Sequence, residues 1–249
     1  MTEAFSTPHI EVRELSIGYG DYVVQHGLSF VVNKGDIFVI MGGNGCGKTT
    51  LMRALVGLQR PLQGNVLYSG EDFWGAPEED RQRLKRRLGI LFQSGALWSS
   101  LTLADNVALP IAEYTNLTQA RIDEIVSFKL ALVGLAGFED FYPSELSGGM
   151  KKRASLARAM ALDPDILVID EPSSGLNTEE TEDMGFWIED IKHDLGITVV
   201  MVEHDMSLVS RVSDRVLALN LGEVLTLGTP EEVQAHPGVI EAYLGGVEA

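Results

Sequence analysis

Along this chain, short runs that are apolar at every position alternate with stretches whose apolar residues recur at helical spacing. Residues 9–40 read as short strands and turns, and residues 10–15 alternate apolar and polar as on a half-exposed antiparallel sheet. The apolar run 37–41 predicts a covered strand, residues 50–58 a helix closed near Gly57 and Pro61, and residues 64–68 another strand. From about Pro77 to Ala161 the pattern is mostly helical, with amphipathic segments at 119–132 and 150–161 and one strand at 88–92. Two further continuous apolar runs, 166–169 and 197–202, suit strands covered on both faces, which implies a parallel sheet. Residues 179–195 supply the crossover helix between them. Strands at 216–219 and 223–227, joined at Gly222, and a short helical tail to Tyr243 complete the reading. The expected fold is α/β: a mainly parallel sheet flanked by helices, an N-terminal antiparallel portion and an inserted helical subdomain. As one domain of 249 residues, its core would be 1–93 and 161–249, and the helical subdomain 94–160.

Composition narrows the setting. No apolar run is long enough to span a bilayer, and residues 1–9 lack a basic then apolar leader, so the chain is expected to be cytosolic. Cys46 is the single cysteine, which excludes an intrachain disulfide and a cysteine zinc site. A formal charge of −17 argues against general affinity for nucleic acid. One basic run, Arg81, Arg83, Lys85, Arg86 and Arg87, reads as a solvated helix face.

Candidate chemistry sits where the elements meet. Gly42-Gly43-Asn44-Gly45-Cys46-Gly47-Lys48-Thr49-Thr50 follows a strand and precedes a helix, the context of a P-loop whose backbone N–H groups converge on phosphate oxygens. Lys48 would reach the β and γ phosphates of ATP, and Thr49 would place its hydroxyl on Mg²⁺. The strand at 166–169 runs into Asp170 and Glu171, at the carboxyl edge where open α/β sheets bind ligands. Asp170 is placed to hold the metal through water, which leaves Glu171 to orient or deprotonate the attacking water. His204, after the next strand, can contact the γ-phosphate, and the Gln93 amide can meet both metal and water.

A second glycine-rich run, Leu146-Ser147-Gly148-Gly149-Met150, opens a helix but carries no lysine. It makes an anion-binding helix N-terminus and not a second complete nucleotide site. A symmetric homodimer resolves this, with Ser147, Gly148 and Gly149 of one chain closing over the nucleotide on the P-loop of the other.

Together these motifs resemble the ATPase subunit of ATP-binding cassette (ABC) transporters over nearly the whole chain. The resemblance implies that Tyr19 stacks on adenine, that ATP drives dimer closure and that hydrolysis reopens it. Met150 stands where glutamine is common, and Asn177 where aspartate is usual in the D-loop Ser174-Gly175-Leu176-Asn177. A transporter ATPase docks on transmembrane permease subunits, and residues 94–110, rich in small and apolar side chains and including Trp98, are the expected contact. That stretch, with Met150-Lys151-Lys152-Arg153, is similar to ATPases of Mce-type lipid transporters, which implies a phospholipid cargo and a periplasmic lipid-binding MCE-type component at the inner membrane. Residues 171–177 and the tail from Gly228 are instead similar to ATPases of branched-chain amino acid importers. A soluble ABC ATPase acting on DNA or ribosomes is the alternative of another class; those usually carry a coiled-coil insertion or two cassettes, and this chain has neither.

Overall fold

The alternating N-terminal segment pairs with itself, because a strand with one apolar face must lay that face on a core while the other meets water. The computed structural model describes residues 7–244, with only the backbone at Leu244. Strands β1 (Ile10–Tyr19) and β2 (Tyr22–Val32) form an antiparallel hairpin. After β3 (Ile37–Gly42) and helix α1 (Lys48–Leu55), β4 (Gln63–Tyr68) and β5 (Glu71–Asp72) return to that sheet, in the order β2-β1-β4-β5. Helix α2 (Glu78–Lys85) and strand β6 (Leu88–Leu91) follow, then α3 (Leu103–Tyr114), α4 (Gln119–Leu132) and α5 (Gly148–Ala159). The chain re-enters the main sheet with β7 (Ile166–Asp170), α6 (Thr178–Leu195), β8 (Thr198–Val202), α7 (Met206–Val212), β9 (Arg215–Asn220) and β10 (Glu223–Gly228). Helix α8 (Pro230–Gln234) leads to a π-helical turn at Ile240–Leu244.

The six-stranded sheet runs β10-β9-β3-β8-β7-β6, parallel throughout except at β10. The strands that grow from the apolar runs take its middle, and every residue of β3, β7 and β8 is buried, Asp170 and Thr198 included. Alternate side chains of one strand serve different cores, since neighbours on a strand point to opposite faces. Ile37, Val39, Met41, Leu167, Ile169, Val199 and Met201 pack with the helical segment, which holds Val107, Ile111, Val126, Leu130 and Ala154. Phe38, Ile40, Val168, Val200 and Val202 pack with α1 and the antiparallel sheet.

Three details differ from the sequence pattern or explain it. Helix α1 begins at Lys48, two residues before the periodicity predicts, because its first turn grows out of the glycine loop, with Gly47 at φ 98° as its N-cap. Leu221 and Gly222, both at positive φ (48° and 86°), form the tight turn between β9 and β10. The basic run on and after α2 is mostly neutralised: Arg81 pairs with Glu78, Arg83 with Glu71 and Asp80, and Arg87 with Asp165.

Candidate functional site

Parallel neighbours end on the same side, so β3, β8, β7 and β6 deliver their carboxyl-terminal residues to one edge of the sheet. That edge collects the P-loop after β3, Asp170 and Glu171 at β7, Glu203 and His204 after β8, and Gln93 after β6. In the loop Gly43, Asn44, Gly45 and Thr49 are exposed, whereas Gly42, Cys46 and Lys48 are buried. A side chain on Gly42 would meet Cys46 Sγ at 2.3 Å, and one on Gly47 would meet Val24 and Gln25 at 2.7 and 2.9 Å. The loop therefore needs glycine at both places. Lys48 Nζ donates to Gly42 O (2.7 Å) and Gly43 O (3.0 Å), which turns its charge back over the loop. Burial pushes the Cys46 thiol up from its ordinary range. Tyr19 is half exposed, and its hydroxyl lies 3.4 Å from Thr50 Oγ1, so the ring is a surface feature beside α1 and not core.

The acidic end of β7 is tightly specified. Asp170 is buried, and its Oδ1 has no hydrogen-bond partner among the described residues. Burial, then the neighbouring Glu171 charge, raise its carboxyl above the usual aspartate range. Gln93 Nε2 donates to Glu171 Oε2 at 2.6 Å and to Ser174 Oγ at 3.3 Å. His204 is exposed, with Nδ1 3.4 Å from Glu203 Oε2 and 4.0 Å from Glu171 Oε1. Five of the expected side chains, Lys48, Gln93, Asp170, Glu171 and His204, thus gather at one edge, with Thr49 and Thr50 on the first turn of α1 beside them.

The second glycine run lies apart from this group. Ser147 caps α5 by accepting from Met150 N (3.2 Å), Gly148 is exposed, and Gly149 N donates to Glu180 Oε1 (3.3 Å). Asn177 caps α6, accepting from Glu180 N at 2.9 Å while Glu180 Oε2 accepts from Asn177 N. An asparagine in this D-loop serves as a helix cap as well as aspartate would.

Residues 25–174 match the family model for the ABC transporter, and residues 223–249 match a model described as branched-chain amino acid ATP-binding cassette transporter. The chain is 40% identical over 90% of its length, and 85% of the relative's, to the intermembrane phospholipid transport system ATP-binding protein MlaF of Haemophilus influenzae. It is 38% identical to the methionine import ATP-binding protein MetN of Bordetella pertussis over 95% of its length, spanning 62% of that longer relative. Among solved structures it superposes with TM-score 0.81 on the dimeric structure of MJ0796, a bacterial ABC transporter cassette, at 26% identity, covering 89% of this chain and 98% of that one. The chain belongs to the ABC transporter ATPase family.

For an ABC ATPase the sequence motifs leave several supporting groups unnamed. Gln25 on β2 is fully buried, and its Nε2 donates to Cys46 O (2.8 Å), bracing the P-loop from the antiparallel sheet. Glu203 is fully buried and accepts from the backbone N of Ser173, His204 and Asp205, so it shapes the loop that carries His204. Lys152, within the stretch Met150-Lys151-Lys152-Arg153, is buried and donates to Glu171 O (3.0 Å). None of the three carries a motif; a polar residue inside an otherwise apolar or helical pattern is the only signal.

Away from the sheet edge this ABC ATPase has a groove of about 600 Å³ between α2, β6, α3 and α5. Leu88, Ile90, Leu109, Pro110 and Ala159 form its apolar surface, and Lys85, Arg86 and Glu113 add charge. Trp98, in the stretch before α3, is exposed and not core. Among the described residues no helix is long and apolar enough to cross a membrane.

Proposed function

We propose that this ABC ATPase binds ATP and Mg²⁺ on its own P-loop, completes the site with Ser147, Gly148 and Gly149 of a second copy, and uses Glu171 as the general base. The observation that carries this reading is the convergence of Lys48, Asp170, Glu171, Gln93 and His204 on one sheet edge. Gly42, Asn44, Gly45, Cys46 and Gly47 supply the loop around the phosphates, Lys48 their counter-charge, and Tyr19 an exposed ring for adenine. Mg²⁺ fits the donors present: Asp170 offers a buried oxygen without a partner among the described residues, and Thr49 and Gln93 offer neutral oxygens. No cluster of three or more metal-binding side chains occurs among the described residues, which suits an ion held mainly by phosphate and water. When bound, the ion supplies charge to the phosphate oxygens. Glu171 then takes the proton of the attacking water, His204 donates to the γ-phosphate, and Gln93 holds the Glu171 carboxylate in place.

The cargo reading is phospholipid in an Mce-type system, supported by the 40% identity to MlaF. The permease sits in the groove beside residues 94–110, which places the chain on the cytoplasmic face of the inner membrane, with an MCE-type periplasmic component in the same complex. The tail supports a second reading, since residues 223–249 match the branched-chain amino acid transporter model. Net charge of −17 supports a site without nucleic acid.

Two measurements test the proposal. Glu171→Gln keeps ATP binding, lowers turnover by about a hundredfold or more and accumulates a nucleotide-bound dimer; normal hydrolysis removes Glu171 from the role. Copurification from membranes recovers a permease with phospholipid; a permease with an amino acid receptor selects the importer instead, and recovery with DNA or ribosomes overturns both transport readings.

A further inference from the structure

Lys152 carries a charged side chain into a buried place beside the acidic end of β7. It lies on α5, five residues past the cap Ser147, so the helix that begins with the signature also presents this lysine about one and a half turns later. Only 6% of it is exposed. Its direct hydrogen bond crosses from the helical segment to the sheet edge, from Nζ to Glu171 O at 3.0 Å. Burial holds its ammonium below the usual lysine range, and the carboxylates of Glu203, Asp170 and Glu171 oppose only part of that effect.

Glu171 needs holding. It is a non-glycine residue at φ 44°, in the left-handed region, a conformation that persists only if its surroundings fix it. Four contacts do so. Glu171 N donates to Val202 O (2.9 Å), its carboxylate accepts from Gln93 Nε2 (2.6 Å), and its carbonyl accepts from both Ser174 N (3.1 Å) and Lys152 Nζ (3.0 Å). The first belongs to the neighbouring strand, the second comes from the start of the helical segment and the third closes the local turn; only the fourth comes from the helix that opens with Ser147-Gly148-Gly149.

We infer that Lys152 is a positioning residue: by gripping the Glu171 carbonyl it sets the backbone turn that aims the catalytic carboxylate. The inference rests on the reading of Glu171 as the base. Its consequence is that the helix offered to one nucleotide also holds the carboxylate that serves another. Met is close to Lys in length but leaves the Glu203, Asp170 and Glu171 carboxylates without this counter-charge, so thermal unfolding and the donor-keeping variants Lys152→Gln and Lys152→Arg are measured beside it.

The test compares Lys152→Met, Lys152→Gln and Lys152→Arg in the full chain by ATPase turnover, titration with a fluorescent ATP analogue and thermal unfolding. Lys152→Met loses about tenfold or more in kcat, as expected for a misplaced catalytic group, with analogue Kd within about twofold of wild type and no large fall in melting temperature. At least one of Lys152→Gln and Lys152→Arg, which keep a donor, restores most of the rate. Retained turnover in Lys152→Met, a parallel loss of nucleotide affinity, a melting temperature lowered by more than about 10 °C, or failure of both donor variants to restore rate overturns the inference. Glu171→Gln, measured alongside, separates the two readings. Normal turnover there defeats the assignment of Glu171 itself, whereas an inactive Glu171→Gln beside a fully active Lys152→Met defeats only the role of Lys152.

Discussion

At the scale of single residues, Asp170 shows a carboxylate held where a carboxylate is costly. One of its oxygens is buried without a partner among the described residues, and the next residue is another acid. Burying a charged group without full compensation opposes folding, and a cation at the site relieves it. Asp170→Asn removes the charge at nearly constant volume. It raises the melting temperature at neutral pH by a few degrees, about 1 kcal/mol, while Mg²⁺-dependent ATP hydrolysis is lost. Thermal scans with and without Mg²⁺ and ATP check this: the wild type gains stability from the pair, and the variant starts higher and gains less. Site chemistry and fold stability therefore pull in opposite directions at this position.

At the scale of elements, the loops at the sheet edge are held by helix caps, and these are sensitive to pH. Asp205 caps α7: it accepts from Ser207 N (2.9 Å), Ser207 Oγ (2.7 Å) and Leu208 N (3.2 Å). The Ser207 hydroxyl, then the two backbone N–H groups, hold its carboxyl below the usual aspartate range, against an opposing effect of burial. A carboxylate depressed in the folded state contributes stability above its unfolded value and loses it as pH falls through the folded one. Asp205→Ala thus costs about 1 kcal/mol at neutral pH, a penalty that shrinks below about pH 4. Matched denaturant titrations at two pH values read the difference. The elements were largely legible because period and burial agree: runs at 37–41, 166–169 and 197–202 became β3, β7 and β8, buried at every residue. The P-loop and the acids of β7 were legible because their spacing is local. Lys152, Gln25 and Glu203 were not, because their meaning depends on partners such as Glu171, 19 residues away, and on a packing that charge and period do not encode. The start of α1 was misread for a related reason: its first turn is fixed by the glycine loop and not by apolar periodicity.

At the scale of the whole molecule, nucleotide edge and groove lie on segments joined through β6, the last strand of the sheet. Among the described residues β6 pairs only with β7; it leads directly into Gln93 and lines the groove through Leu88, Gly89 and Ile90. A permease seated in the groove is therefore one short strand from the residue that holds Glu171. Leu109→Glu, on the exposed rim at α3, removes permease from membrane copurification while ATP binding and melting temperature of the isolated chain stay within error; retained permease excludes this groove as the dock. The lone cysteine gives the molecule a clock of its own. Cys46 is 4% exposed in the P-loop, with its thiol pushed up by burial, so a maleimide can reach it only when the loop opens. With a single sulfhydryl in 249 residues, the alkylation rate times that opening with no engineered cysteine, and the factor by which nucleotide slows it converts to the free energy with which the loop is clamped.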